Sequence, residues 1–171
     1  MRRQYWSTLL ALALAAGPSM AVTEDHGLLG CPEHAPSLHL AVIFLQGMDM
    51  APTVVPCPKR VDDVRLERLY FEGVGDNPEE EVVAALFVRS TGEILVDAEM
   101  NFEDPVDLSY FVHELVHMRQ MEATSTAVCV GVLEAEAYAI QAVFLRDQGF
   151  PREGLLFDLM GQLQAGCASR Y

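Results

Sequence analysis

Basic residues are scarce in this sequence. It has 11 Lys and Arg against 25 Asp and Glu, which gives a formal net charge of −14 at pH 7. No segment concentrates positive charge, and a strongly acidic surface repels nucleic-acid phosphates and anionic lipid headgroups. We therefore expect no nucleic-acid partner. The apolar fraction of 51% is ample for a packed core, and 171 residues suggest one domain.

Cysteine is also sparse, and no two cysteines have the CxxC spacing of a zinc site. The chain contains Cys31, Cys57, Cys129 and Cys167. An even number of cysteines in an exported chain predicts two disulfides rather than cysteine-bound zinc. Three pairings are possible. We favour Cys31 with Cys57 and Cys129 with Cys167, because each bridge would staple one end of the domain.

The most apolar stretch falls well short of the roughly 20 residues that span a bilayer. It follows Arg2 and Arg3, extends to about Ala16, and precedes a Ser-Met-Ala sequence that resembles a signal-peptidase site. We interpret residues 1–21 as a cleaved signal peptide and residues 22–171 as one exported domain. The mature protein is then expected in the periplasm or secreted, with no stable membrane insertion.

Turn residues and hydrophobic periodicity predict an α+β chain with the order helix, strand, helix, hairpin and three helices. A Ser-Thr-Gly sequence that ends at Gly92 supplies the hairpin turn, and Asp104 before Pro105 is typical of a helix start. The predicted helices cover 37–47, 60–70, 104–122, 130–148 and 152–164, and the predicted strands cover 53–55, 82–88 and 93–96.

An HExxH sequence begins at His113 in the third predicted helix. Residues four apart share a helix face, so His113 and His117 can reach one metal ion. Glu114 can take a proton from a water on that ion without being a ligand itself. The helix is largely apolar, and two unpartnered histidines in such a helix are costly. A metal ion accounts for them better than solvent does.

A catalytic zinc site needs a third protein ligand, and no histidine follows His117 in the chain. The next predicted helix carries Glu134, Tyr138 and Gln141 at i, i+4 and i+7, which places three polar side chains on one face. The HExxH helix has the same spacing, with His113, His117 and Gln120 at i, i+4 and i+7. Two matched polar stripes on packed helices predict a buried site with Glu134 as the third ligand.

Glu136 is the alternative third ligand. It lies about 200° from Glu134 around the helix, so only one of the two can face the histidines. Its face is shared with Leu133, Ile140 and Val143. We favour Glu134 because Tyr138 follows it by one turn.

These motifs, HELVHxxQ at 113–120 and ExEAYxxQ at 134–141, resemble the gluzincin clan of zinc peptidases and small exported bacterial proteins with a minimal zincin core. The resemblance implies a β-hairpin or small sheet packed on a bundle of helices, with HExxH on one helix and the glutamate ligand on the next. It implies one zinc ion bound by His113, His117 and Glu134, with Glu114 as the base. It also implies that strand 93–97 holds an extended peptide by strand addition.

The sequence departs from the clan in the group that orients the first histidine. Many gluzincins have an aspartate four residues after the glutamate ligand, where this chain has Tyr138. Its hydroxyl is expected to accept the imidazole N–H. Gln120 and Gln141 are expected to lock the two helices together by hydrogen bonds.

Two functions follow from the sequence. The first is an exported zinc peptidase with a peptide or protein substrate, favoured because zinc binding alone does not require Glu114. The second is a non-catalytic zinc-binding protein that holds a peptide or protein partner, favoured by the missing aspartate and the lack of an obvious oxyanion donor. Tyr110 and Arg119 are the candidates for that donor, although Arg119 fits a surface role better. His39 is expected to be a core histidine.

Overall fold

The computed structural model describes residues 31, 35–74, 83–123 and 129–166. The predicted signal peptide at 1–21 and Cys167 lie outside these residues. Within the described part of the chain, no helix combines the length and apolar character needed to cross a membrane.

The described residues form five helices and a three-stranded mixed sheet, which confirms the predicted α+β class. The elements are α1 (Ala35–Gly47), β1 (Lys59–Val61), α2 (Asp63–Val74), β2 (Ala85–Val88), β3 (Glu93–Asp97), α3 (Pro105–Ala123), α4 (Val130–Asp147) and α5 (Pro151–Gln164).

Helix α3 begins where the sequence predicts. The carboxylate of Asp104 accepts a hydrogen bond from the backbone N–H of Val106 at 2.8 Å, and Pro105 is the first helical residue. The helix is central to the core, and its buried apolar side chains include Phe111 and Leu115, each with 0% exposure. Burying a side chain of this size contributes about 1.5–3 kcal/mol. This packing fixes the rotation of α3 and hence the direction of its polar residues.

The predicted hairpin is confirmed. β2 and β3 pair antiparallel, with Leu86 opposite Leu95. The turn between them needs a residue with positive φ, and Gly92 supplies it at 71°. The backbone N–H of Gly92 donates to the carbonyl of Val88 at 2.9 Å, which closes the turn.

The region before α2 differs from the prediction in two ways. Residues 53–55 do not form a strand, and a strand that the sequence analysis missed, β1, replaces the start of the predicted helix at 60–70. That helix begins only at Asp63. β1 pairs parallel with β3, and the Lys59 ammonium pairs with the Glu93 carboxylate of β3. Pairing with a distant strand thus overrides the local helical periodicity of residues 60–62.

The strand order is β1-β3-β2, so β3 is the central strand. The main core lies among α1, α3, α4 and the sheet. The predicted disulfide between Cys31 and Cys57 is confirmed, with the two Cα atoms 5.6 Å apart. Cys129 is disulfide-bonded as well, and its predicted partner, Cys167, lies outside the described residues.

Candidate metal centre

Helix α3 presents both histidines of the HExxH motif to one point. The Nε2 atoms of His113 and His117 lie 3.0 Å apart. The His113 residue is 7% exposed, and the His117 side chain is 10% exposed. Buried imidazoles at this separation share one environment, so a single cation can contact both.

Helix α4 brings Glu134 to the same point. One carboxylate oxygen of Glu134 lies 3.3 Å from Nε2 of His113, and the other lies 3.3 Å from Nε2 of His117. One ligand atom from each of the three residues lies within 4.8 Å of the others. The structure therefore places the three predicted ligands together, whereas metal binding itself stays a prediction.

The charges of the cluster shift two pKa values in opposite directions. Burial lowers the pKa of His117, but the hydrogen bond with Glu134 and the charges of Glu114 and Glu134 outweigh burial and raise it to about 9. Burial raises the pKa of Glu134, but hydrogen bonds with His113 and His117 hold it well below its usual range. Without a metal ion, the cluster thus takes up a proton. It favours positive charge at its centre.

Glu114 points to the sheet. It is 8% exposed, and one of its carboxylate oxygens accepts a hydrogen bond from the backbone N–H of Phe87 on β2 at 2.6 Å. An N–H donor to a carboxylate is a strong, orienting contact. Strand β2 therefore fixes Glu114 next to the histidines, a link that no spacing rule reveals because the two residues are 27 apart in the chain.

Two glutamines contact the other side of the imidazoles. Nδ1 of His113 lies 3.0 Å from Oε1 of Gln141, and Nδ1 of His117 lies 2.9 Å from Oε1 of Gln120. Both glutamines also connect α3 with α4. The Gln120 amide donates to the carbonyl of Leu133 at 2.9 Å. The predicted helix-locking role is therefore confirmed, and contact with the histidines is added to it.

The expected role of Tyr138 is wrong. Its ring packs edge-on against His113 with the centroids 4.6 Å apart, and it stacks on Phe157 on the other side. Nδ1 of His113 meets Gln141, and its Nε2 meets Glu134 and His117. Both ring nitrogens are thus accounted for. The group that orients His113 lies three residues later than the clan pattern predicts.

Ser109 was missed by the sequence analysis. Its hydroxyl is 2.9 Å from the amide nitrogen of Gln141, and it donates to the carbonyl of Val106 at 2.6 Å. Ser109 is one helical turn before His113, so extending the polar stripe backwards by one turn would have found it.

The competing ligand, Glu136, is outside the cluster. It is exposed, and its carboxylate accepts a hydrogen bond from the amide of Gln120 at 2.9 Å. The apolar surroundings predicted for it are therefore wrong. Its carboxylate instead lies at the edge of the α3–α4 interface.

The two candidates for an oxyanion donor contact residues outside the ligand cluster. The Tyr110 ring packs edge-on against Phe157 at 5.7 Å, and burial together with the charge of Asp107 raises the pKa of its hydroxyl. Arg119 lies 3.8 Å from Glu122 on the same helix, as expected for a surface role. Neither geometry identifies a donor.

His39 contradicts its prediction, because it is exposed on α1 rather than part of the core. The helical periodicity at this position did not distinguish the outer face of α1 from the inner one. The other two histidines outside the motif, His26 and His34, lie outside the described residues.

The strand predicted to hold a peptide is not at an edge. Residues 93–97 form β3, which is paired with β1 on one side and with β2 on the other. Its main-chain groups are therefore used within the sheet. The strand next to Glu114 with an unpaired side in this sheet is β2, the outer strand of the order β1-β3-β2.

A comparison with protein families identifies the family to which this chain belongs. The family described as Domain of unknown function (DUF6647) matches residues 49–171, so the chain belongs to that family. No curated protein and no solved structure matches the chain. The matched region contains α3 and α4, and with them all three predicted ligands.

Proposed function

We propose that this protein is an exported zinc-dependent peptidase in which His113, His117 and Glu134 hold the metal ion and Glu114 is the general base. The observation that carries this proposal is the meeting of two imidazoles and one carboxylate at distances of 3.0 and 3.3 Å. The next residue after the first histidine is an acid whose position is fixed by a main-chain contact.

The donor set fits zinc. Two histidine nitrogens and one carboxylate oxygen form a catalytic zinc set that leaves one position for water or substrate. Zinc accepts nitrogen and oxygen ligands, whereas calcium and magnesium prefer oxygen alone. A bound zinc ion would supply Lewis acidity, which lowers the pKa of water and polarises a substrate carbonyl.

Glu114 supplies the proton transfer. One of its oxygens is held by the Phe87 N–H, so the carboxylate has a second oxygen with which to accept a proton from water. The hydroxide that remains bonds to the substrate carbonyl carbon, the C–N bond breaks, and the same carboxyl group gives the proton to the leaving amine. The proton is conserved, and Glu114 returns to its charged state for the next turnover.

The outer side of β2 is our proposed binding surface for the substrate main chain. The N–H of Phe87 points away from β3 to Glu114, and main-chain direction repeats every two residues, so Ala85 presents its groups on the same side. An extended peptide that pairs with Ala85 would lie next to the ligand cluster. This arrangement of hairpin, HExxH helix and following glutamate helix supports a minimal zincin core of the gluzincin type.

A non-catalytic zinc-binding protein is the second candidate function. The positions of Tyr110 and Arg119 favour it, because both side chains contact residues outside the ligand cluster. Such a protein would bind a peptide or protein partner at β2 without cleaving it. The exported location belongs to both candidates, and the disulfide between Cys31 and Cys57 supports it.

Replacing Glu114 by Gln separates the two functions. The purified protein is expected to hold one zinc ion per chain by elemental analysis and to hydrolyse members of a broad peptide library. Glu114→Gln is expected to keep zinc and to lose about 10²–10⁴ in rate, because the base is gone while its shape remains. The control, Glu72→Gln on the exposed side of α2, makes the same chemical change away from the cluster. Hydrolysis that is equal in both variants, or absent from the wild type, would favour the binding protein.

A further inference from the structure

We infer that Gln120 and Gln141 are positioning residues that hold His117 and His113 with a proton on Nδ1, so that both Nε2 atoms face Glu134. This inference deepens the proposed metal site and rests on it only for its consequence. Its basis is the direction of each hydrogen bond in two chains of buried polar groups.

The chain through Gln120 has a fixed direction. The amide nitrogen of Gln120 is 2.9 Å from the carbonyl of Leu133 and 2.9 Å from the carboxylate of Glu136. Both partners can only accept, so this end of the amide is the NH₂ group. Its oxygen therefore faces His117, at 2.9 Å from Nδ1. An amide oxygen only accepts, and Nδ1 of His117 must carry the proton.

The chain through Gln141 leads to the same result. The Ser109 hydroxyl donates to the carbonyl of Val106 at 2.6 Å, so toward Gln141 its oxygen acts as an acceptor. The amide nitrogen of Gln141 fills that role at 2.9 Å, which turns the amide oxygen to Nδ1 of His113 at 3.0 Å. Gln141 has 0% exposure, so water does not compete for these contacts. Nδ1 of His113 must also carry the proton.

The two chains leave only acceptors at the centre of the cluster when the imidazoles are neutral. Each Nε2 then presents a lone pair, and the carboxylate of Glu134 adds its oxygens at 3.3 Å. Acceptors this close repel each other unless a proton or a metal cation lies among them. Glutamine amides achieve this orientation without adding negative charge behind the imidazoles, in contrast to an aspartate or glutamate in the same place.

Histidine tautomers are measured directly by ¹⁵N NMR of the imidazole nitrogens, both in protein stripped of metal by a chelator and after addition of Zn²⁺. The metal-free sample is measured above the raised pKa of His117 of about 9, where both imidazoles are neutral and have a tautomer to report. We expect a protonated Nδ1 on His113 and His117 in both states, and Nε2 as the zinc-bound atom. Zinc affinity is measured on the same samples by competition with a chromophoric chelator.

Three variants test the role of Gln141. Gln141→Met has a similar size but no acceptor, and we expect zinc affinity to fall about 10–100-fold. Gln141→Glu keeps an acceptor for the Nδ1 proton, and we expect it to retain zinc. Gln162→Met, on the exposed side of α5, is the matched control and should behave as wild type. A role limited to joining α3 and α4 would leave the His113 tautomer of Gln141→Met unchanged.

An unprotonated Nδ1 on either ligand histidine in the metal-free wild type would overturn the inference. Wild-type zinc affinity and an unchanged His113 tautomer in Gln141→Met would overturn it as well. If the wild type shows the expected tautomers but binds no zinc or cleaves no peptide, the proposed function fails while the positioning role stands. The two failures are therefore distinguishable.

Discussion

Helix α4 packs on α3 and on α5 by different means. Toward α3 it presents Glu134 and Gln141, which join the histidines in a hydrogen-bonded polar interface. Toward α5 the helices approach closely at glycines, since a Cβ atom on Gly154 would lie 2.8 Å from the carbonyl oxygen of Ala142. The first interface fixes individual atoms, and the second removes apolar surface from water. We therefore expect the α3–α4 interface to determine metal binding and the α4–α5 interface to contribute mainly to stability.

The polar interface is complete as well as buried. Among the described residues, no buried side-chain nitrogen or oxygen lacks a hydrogen-bond partner. Satisfied buried networks specify one arrangement, whereas a network that loses one member leaves costly unpaired groups. Substitutions at this interface should therefore alter metal binding strongly, and substitutions at the α4–α5 interface should alter the free energy of unfolding.

The largest expected effect is the loss of a histidine ligand. His113→Ala removes one of the two nitrogen ligands of the proposed site and leaves the amide oxygen of Gln141 without its partner. We expect no zinc to remain after dialysis, as measured by elemental analysis. His39→Ala, at an exposed position on α1, should retain one zinc ion per chain. A His113→Ala protein that retains zinc at wild-type affinity would contradict the functional assignment of the α3–α4 interface.

The second prediction compares two acids on the same helix. Glu134→Gln replaces a proposed charged ligand, 3.3 Å from both histidines, by a neutral amide, which binds zinc poorly. Replacing a residue that only orients a metal ligand typically lowers metal affinity about 10–100-fold. We expect Glu134→Gln to lower zinc affinity by more than that. Glu136→Gln keeps an oxygen that can accept from Gln120, and its affinity should change little. Chelator competition measures both, and the reverse order would make Glu136 the ligand.

Much of the polar interface could be predicted from sequence, because it depends on periodicity within single helices. His113, His117 and Glu134 follow from spacing, and the start of α3 follows from Asp104 and Pro105. Periodicity states which residues share a face, and α3 and α4 have faces that match.

Contacts set by the fold could not be predicted in this way. The link from Phe87 to Glu114 and the pairing of β1 with β3 join residues far apart in the chain. Gln141, rather than the expected Tyr138, contacts Nδ1 of His113. Which of the two residues reaches this nitrogen depends on how far α4 is rotated and shifted along α3, and a single sequence does not fix that. Local patterns therefore predict the three clustered residues, and tertiary packing decides their supporting contacts.

The third prediction concerns pH. The pKa of His117 is raised from the model-peptide value of 6.5 to about 9 in the folded protein, so the metal-free fold binds this proton more tightly than the unfolded chain does. Its stabilisation is complete below pH 6.5 and is lost as the pH rises through about 9. The shift corresponds to at most about 3 kcal/mol. Urea unfolding of chelator-treated protein from pH 6 to pH 10 measures it.

Zinc should remove this pH dependence, because a histidine ligand binds the metal through the nitrogen that otherwise holds the proton. The apparent zinc affinity should rise with pH and level off near pH 9, as one proton per chain is displaced below that value. His117→Gln is the control, since it lacks the titrating group. Its free energy of unfolding should change less with pH above pH 6.5 than that of the wild type. A wild-type free energy of unfolding that does not fall between pH 6.5 and 9 without metal would show that the cluster does not attract a proton.

The smallest expected effect is at the α4–α5 interface. In Gly154→Ala the new methyl group would meet the Ala142 carbonyl oxygen at 2.8 Å, so α5 must shift. Overpacking typically costs about 1–3 kcal/mol, and the better helix propensity of Ala returns about 1 kcal/mol. We expect a net loss of about 1 kcal/mol in urea unfolding, with unchanged zinc affinity of the folded protein. Gly47→Ala, where no heavy atom lies within 4 Å of the added methyl group, is the matched control and should not lose stability. If Gly154→Ala unfolds like the wild type but binds zinc less tightly, the two interfaces are not independent, because a shift of α5 then reaches Glu134 through α4.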